Sequence, residues 1–394
     1  MKLAVLGSGG VGRVIAKTVA KTGRFKEIIC ADISEETVNN LLLTINKENF
    51  HGTVVDASDY EQVKKLALKV DVLVNAVIPR FNLIVMKACL AGQCHYLDLA
   101  CDTILELPGK IDLSEQLDLD QHFSDAGLLA LCGIGIDPGC TNIFARYLAN
   151  QMDEIEDILI RDADVSSVQG HDIALYFSPD TFIDECITEA PLFYENGMFV
   201  IKEPLEKIED FTFPDPIGKV PVYAISHEEA WTIPRFIKKN RLKKCNFGYA
   251  LPGEMVNILK VLKTLGLDSE KPLNIKGNKV APRDVVIELL PKPAELAGKI
   301  KGNICVGTLV RGFKNGRKKE LFMYNRISHE TAYHSMQEQG TSYQTGIPAA
   351  LAADLLAEGV IKTRGAVTPE ALDPEPFIKN LPRYGLEIEI EERL

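Results

Sequence analysis

Met1-Lys2-Leu3-Ala4-Val5-Leu6-Gly7-Ser8-Gly9-Gly10-Val11-Gly12 opens the chain, and Asp32 follows at the end of a second apolar run, residues 27–31. Residues 2–6 form a run long enough for one buried strand, and residues 13–22 read as a helix. A glycine-rich turn alone is a weak signal. Here a strand precedes it, a helix follows it, and an acidic residue closes the next strand at the expected distance, so the stretch predicts a dinucleotide-binding fold. Gly7 permits the tight turn, Gly9 lets a pyrophosphate approach the backbone, and Gly12 lets helix and strand pack closely. Ser8, Gly10 and Val11 complete the loop, whose free N–H groups and positive dipole end receive the phosphates.

Asp32 selects the cofactor. Its carboxylate accepts hydrogen bonds from a ribose 2′-hydroxyl and repels a 2′-phosphate. Ser34-Glu35-Glu36 supply no cation to neutralise that phosphate, and two further carboxylates deepen the repulsion. NAD is therefore the expected cofactor. The same acids also suit the first turn of a helix.

The remaining strands follow at regular intervals: residues 54–56, 71–76, 94–99 and 128–132, with helices over 81–91 and 115–126. Alternation of this kind indicates an α/β fold built on a doubly wound parallel sheet. Ligands bind such sheets at the carboxyl ends of the strands, which places Asp56, Ala57, Asn75, Ala76, Pro79 and Asp98 at the crevice. Beyond Gly133 the rhythm changes. Longer strands are expected near 161–167, 249, 282–290, 302–312 and 320–326, with helices over 141–151 and 255–265. This pattern suits an inserted α+β domain with a mainly antiparallel sheet. Segment 202–235, rich in proline and charge, reads as loop. Residues 347–358 form an alanine- and leucine-rich helix that packs back on the first domain.

The chain has 394 residues, a formal charge of −11 and 9 cysteines. That length suits two or three domains, and the acidic balance argues against nucleic acid or an anionic membrane as partner. No apolar stretch approaches the roughly 18–20 residues of a membrane span. The first apolar run is too short for a signal peptide. The cysteines are odd in number, lack a C-x-x-C pair and sit in apolar contexts, so reduced, mostly buried thiols and a cytoplasmic location are expected. No metal is expected: His329 and His334 are five apart, whereas a helical zinc pair needs four, and that cluster reads as a polar strand end or a surface.

Beyond these readings, VDVLVNAVIPRFN, HYLDLA, GIDPGCTN, QGHD followed by FSPD, DPIGKVPVY, SHEEAWTIPRF and the closing TGIPAALAADLLAEGVIKTRGAVTPEALDPEPF resemble the saccharopine dehydrogenase family in order and spacing. The resemblance covers nearly the whole chain. It implies a Rossmann domain (1–134), a substrate and dimerisation domain (135–342) and a C-terminal segment (343–394) returning to the first, with a homodimer as the assembly. It also implies hydride transfer at a carbon–nitrogen bond of lysine or a lysine-related amino acid. The family's members include saccharopine reductase, lysine 6-dehydrogenase and carboxynorspermidine dehydrogenase.

Such chemistry needs a deprotonated amine, a base to receive its proton and a site that orients the substrate and excludes water. Tyr96 and Asp98 fit the catalytic positions best, with Asp102 as an alternative, although a strand-end Tyr and Asp also serve as caps. Asp137-Pro138-Gly139 is a turn that caps a helix, and the resemblance adds substrate contact. His171, preceded by Gly170, is a further candidate for contact with either the substrate or the nicotinamide. Thr232 and Arg235 suit a carboxylate, which a planar guanidinium grips bidentately. Asp32 tilts the choice within the family towards an NAD enzyme of the lysine 6-dehydrogenase type, with saccharopine and carboxynorspermidine chemistry as alternatives. A catalytically idle NAD-binding protein is the contrasting class. A short-chain reductase is disfavoured, because its Tyr-x-x-x-Lys pair fails at Tyr96, four residues before Ala100.

Overall fold

The computed structural model describes residues 1–101, 113–237 and 241–394. Asp102 lies outside them. The described chain divides into two compact units: residues 1–101, 113–147 and 342–388, and residues 148–237, 241–341 and 389–394.

The first unit is built on a 7-stranded sheet. Its strands are β1 (Lys2–Leu6), β2 (Glu27–Asp32), β3 (Phe50–Val54), β4 (Val72–Asn75), β5 (His95–Asp98), β6 (Leu129–Leu131) and a last strand, Gly365–Val367. The spatial order is Gly365–Val367, β6, β5, β4, β1, β2, β3, and every pairing is parallel. Leu3 to Leu6 are completely buried, as a central strand covered on both faces requires. The chain leaves β1 towards β2 and β3 and later returns to β1's other side with β4. A crevice therefore opens at the β1–β4 junction, the doubly wound arrangement expected of a Rossmann-type fold.

Helix α1 (Gly10–Thr22) buries Val14, Ile15, Ala16 and Val19 and ends at Gly23, whose φ of 64° suits a left-handed cap. Gly346 lies in the helix Gly340–Ala357, and a Cβ on it would stand 2.7 Å from the Val14 side chain, so the C-terminal helix packs against α1. Three details differ from the sequence reading. The third strand ends at Val54, because Asp56 instead closes a turn by accepting the Ser58 N–H and O–H. The helix expected over 115–126 is two short pieces, Leu113–Leu117 and Asp120–Asp125. The compact unit also runs beyond 134, to Tyr147.

The second unit holds a 9-stranded sheet. Its main path runs Lys207–Thr212, Lys219–Tyr223, Lys244–Ala250, Glu154–Val168, Ile300–Lys314, Arg317–Ser328 and Ile388–Glu392. Lys244–Ala250 pairs in parallel with Glu154–Val168, and the other pairings from Lys207–Thr212 through to Arg317–Ser328 are antiparallel. The long hairpin turns at Asn315-Gly316, both with positive φ (52° and 73°), as a two-residue turn that matches strand twist demands. One core joins Leu159, Phe211, Phe213, Val222, Leu309 and Phe322.

Three expectations fail here. Residues 202–235 contain two strands and the helix Glu229–Phe236 rather than loop. Pro221 is tolerated because its strand pairs with Lys244–Ala250 only at Val222 and Tyr223, so its missing N–H costs no ladder bond there. Residues 282–289 are a helix, not a strand: Pro282 takes the first turn with Asp284, which outweighs the β-branched Val285-Val286-Ile287. His329–Met336 is likewise a helix, capped by Ser328, with His329 buried against Asp164 at 3.1 Å.

Candidate dinucleotide crevice and substrate side

The glycine loop has the geometry a bound pyrophosphate needs. Gly7 has φ +97°, and a Cβ there would meet the Ala76 carbonyl oxygen at 2.6 Å. A Cβ on Gly12 would stand 1.8 Å from the Gly7 carbonyl oxygen. Gly9 is different. Its φ of −71° and ψ of −165° suit any residue, and no atom lies within 4 Å of where its Cβ would be. Neither backbone nor packing asks for glycine there. What remains is the space itself, kept open at the amino end of α1, where no side chain caps the free N–H groups. The loop therefore fits a dinucleotide.

Asp32 grips the same loop. One carboxylate oxygen accepts the Ser8 N–H at 2.7 Å and the other the Ser34 N–H at 3.0 Å. The Ser8 side chain is buried, with its hydroxyl on the Ala31 carbonyl at 3.3 Å. Gly10 and Val11 are half-buried at the start of the helix. Across the crevice the Ala76 N–H donates to Leu6 at 2.7 Å, and half-buried Pro79 starts a short turn. Asp56 and Ala57 lie in the turn after β3, with Ala57 buried.

At the carboxyl ends of β4 and β5 a closed ring of buried side chains forms. Asn75 Nδ2 donates to Asn82 Oδ1 at 2.9 Å and to the Tyr96 hydroxyl at 3.3 Å. Asn82 donates to Gln116 at 3.4 Å, and Gln116 donates to Asp98 at 2.6 Å. The Tyr96 hydroxyl donates to the same Asp98 oxygen at 2.8 Å, closing the ring. Asn75 Oδ1 is buried and accepts no bond among the described residues. Tyr96 is 0% and Asp98 1% exposed. Burial, with the Asp98 charge, pushes the Tyr96 hydroxyl well above its ordinary range. Tyr96 and Asp98, the pair expected from sequence to act in catalysis, are thus buried and hydrogen-bonded to one another at the end of β5.

What Asp98 positions is the next loop. Its other oxygen accepts the Gly133 N–H at 2.5 Å, and its carbonyl the Ile134 N–H at 2.8 Å. The loop carries Asp137, which is half-buried, and Pro138 and Gly139, which are buried. The Gly139 N–H donates to Asn142 Oδ1 at 2.8 Å, and Asn142 Nδ2 donates to Glu370 at 3.0 Å. Sequence reasoning missed Asn82, Gln116, Asn142 and Glu370. A polar residue inside an apolar run was the available signal for Asn82, and nothing local marks Glu370.

The remaining candidates belong to the second unit. His171 lies exposed on a loop, bridged to Val168. Thr232 is buried, while Arg235 is exposed and stacked over Trp231 at 4.0 Å. Ahead of them on the same segment stands a group the sequence reading did not single out. His227 Nδ1 contacts Glu229 and, at 3.2 Å, Glu228, while its ring stacks on Phe247 at 3.8 Å and 5°. Burial opposes charge on His227, yet Glu229, Glu228 and Glu185 together hold its pKa well above the usual imidazole range. Burial, with Glu228, Glu189 and Glu229 adding to it, pushes Glu185 upwards. Ligand atoms of His227, Glu228 and Glu229 lie within 4.8 Å of one another. With the imidazole nitrogen already on two carboxylates, the group reads as an imidazolium in an excess of negative charge.

Among the described residues no helix is long and apolar enough to cross a membrane. None of the cysteines forms a disulfide among the described residues, and all but Cys101 are buried.

Residues 3–131 match the family model described as saccharopine dehydrogenase NADP binding domain, and residues 135–386 match the saccharopine dehydrogenase C-terminal domain. The chain is 31% identical over 388 residues to the carboxyaminopropylagmatine dehydrogenase of Synechocystis sp., covering 98% of this chain and 96% of the relative. It is 30% identical over 410 residues to the carboxynorspermidine synthase of Vibrio alginolyticus, covering 100% and 97%. Among solved structures, apo saccharopine dehydrogenase (L-Glu forming) from Saccharomyces cerevisiae aligns with a TM-score of 0.76 at 14% identity, covering 100% of both chains. That likeness concerns the fold.

Proposed function

Because this chain belongs to the saccharopine dehydrogenase family and is an oxidoreductase that uses a nicotinamide dinucleotide, we propose that it acts with NAD on the secondary-amine C–N bond of a carboxylated polyamine. The observation that carries this reading is whole-length similarity, near 30% identity, to relatives named for carboxynorspermidine and carboxyaminopropylagmatine. Asp32 bears on the cofactor and not on the substrate, so it gives lysine no advantage.

When bound, the dinucleotide accepts hydride from, or returns it to, the carbon bearing nitrogen. The protein's own part is placement. Gly7, Ser8, Gly9, Gly10, Val11 and Gly12 hold the pyrophosphate on the helix N–H groups, and Asp32 takes the ribose hydroxyls. Asn75, Ala76, Pro79, Asp56 and Ala57 border the cofactor, and Asn75 Oδ1 offers a buried acceptor to a cofactor donor. In the first unit Asp137, in the turn with Pro138 and Gly139, is assigned to the substrate amine; in the second unit Thr232 and Arg235 are assigned to a substrate carboxylate and His171 to a further substrate contact. A cytoplasmic homodimer belongs to the same reading.

The test is product identification. Purified protein is incubated with short α,ω-diamines, an amino-acid semialdehyde and NADH, and the mixture is analysed by mass spectrometry. A secondary amine joining the two, formed with loss of NADH, supports the proposal. Deamination of lysine in place of that product moves the assignment to lysine 6-dehydrogenase chemistry, and dinucleotide binding without any turnover leaves an idle binding protein.

A further inference from the structure

The Asp137-Pro138-Gly139 turn is fixed from both ends. Asp98 takes the Gly133 and Ile134 N–H groups at its entry, and the exit is held by a carboxylate far away in sequence. Glu370 sits in the short turn Pro369–Ala371 immediately after the edge strand Gly365–Val367. It is 0% exposed. Its carboxylate accepts from Asn142 Nδ2 at 3.0 Å, and its backbone carbonyl accepts from Arg146 Nε at 2.5 Å. Burying a carboxylate is costly without such partners, and an amide facing a backbone N–H needs no charge behind it. The chemistry explains the choice. A carboxylate only accepts, so Asn142 must present its NH₂ to Glu370 and hence its oxygen to the Gly139 N–H. Gly139 has φ +139°, and no larger residue fits there, because a Cβ would meet the Gly135 carbonyl oxygen at 2.0 Å.

We propose that Glu370 is a positioning residue which, by fixing the orientation of the Asn142 amide, locks the Gly139 backbone and with it the placement of Asp137. The inference rests on the reading of Asp137 as a substrate contact. Glu370 itself touches no substrate.

Three readouts test it in the full chain. Hydrogen exchange of the segment carrying Gly139 is measured without any ligand, dinucleotide affinity by NADH fluorescence, and kcat and KM with the amine substrate. Glu370→Ala and Asn142→Ala should each speed exchange about tenfold or more, leave dinucleotide affinity within about twofold, and lower kcat/KM for the amine about 10- to 100-fold. The double variant should be no worse than either single one, as expected of residues acting in one chain. Glu370→Gln keeps an acceptor and should recover most of both losses, which also guards against a misfolded alanine variant. Unchanged exchange, additive losses, an equal loss of dinucleotide affinity, or faster exchange with unaltered kcat/KM would each overturn the proposal. Wild-type turnover tests the functional reading separately. If the wild type turns nothing over, that reading fails, while exchange and dinucleotide affinity still decide whether Glu370 locks the turn.

Discussion

Gly9→Ala separates the needs of the fold from those of the ligand. The position has φ −71° and ψ −165°, and its missing Cβ points into space with no atom within 4 Å. Alanine lowers unfolded-chain entropy, a gain of about 0.4–1 kcal/mol, and replaces a better helix-capping residue, a loss of about 0.5–1 kcal/mol. The two nearly cancel, so urea unfolding of the free protein should move by less than about 1 kcal/mol. Binding behaves otherwise. A methyl group stands where the pyrophosphate meets the N–H groups at the start of α1, and each charge-assisted bond so lost is worth about 1.5–3 kcal/mol. One or two lost bonds correspond to an affinity about 100-fold weaker, since tenfold is about 1.4 kcal/mol. Unfolding curves and NADH fluorescence titrations on the same preparation give both numbers. An alanine variant that binds NADH as the wild type does would refute the assignment of that space to the cofactor.

Gly12→Ala should fail in the opposite manner, losing stability by about 3 kcal/mol or more, because its Cβ falls 1.8 Å from the Gly7 carbonyl oxygen; soluble expression and unfolding midpoints check this. Asp32→Ala should narrow the preference for NAD over NADP while weakening both, since Asp32 also holds the Ser8 N–H at 2.7 Å, as paired titrations with the two cofactors will read. Burial lowers His95 to about 4, with its Nδ1 already accepting the Leu129 N–H at 2.9 Å. The unfolded chain therefore binds the proton more readily. This contribution is complete above about pH 6.5 and fades as pH falls towards 4, by at most about 3 kcal/mol and nearer 2 with solvent access. His95→Gln keeps an acceptor and should flatten that part of the pH–stability curve. Glu209→Ala leaves the 0%-exposed Arg161 without its 2.6 Å partner and should cost about 3–5 kcal/mol. Arg161→Met, whose abandoned Glu209 is 33% exposed, should cost less in the same denaturation assay.

The first unit was legible because its strands are buried on both faces and so read as continuous apolar runs punctuated by glycine. The polar edge strand Phe50–Val54 was misplaced for the same reason, since His51-Gly52-Thr53 carries no such signal. In the second unit local rules compete. Val285-Val286-Ile287 looks like strand until Pro282 and Asp284 are weighed as a helix start, and Pro221 looks like a break until its strand proves unpaired on one side there. The cofactor loop was legible because a single local motif builds it. Tyr96 and Asp98 were correctly placed at the strand ends, but their burial depends on Asn82 and Gln116, which arrive from other elements. Glu370 reaches the Asp137 turn only through the fold, so no pattern near either residue announces the pair.

The most direct measurement is a competition of substrates and cofactors on the wild-type protein. Initial rates of reduced-nicotinamide formation are recorded with carboxynorspermidine, lysine and saccharopine, each with NAD and with NADP. Carboxynorspermidine with NAD should give the highest kcat/KM, by about tenfold or more over every other combination, the discrimination expected when buried polar groups match one substrate. A higher kcat/KM for lysine or saccharopine, or a preference for NADP, would contradict the account.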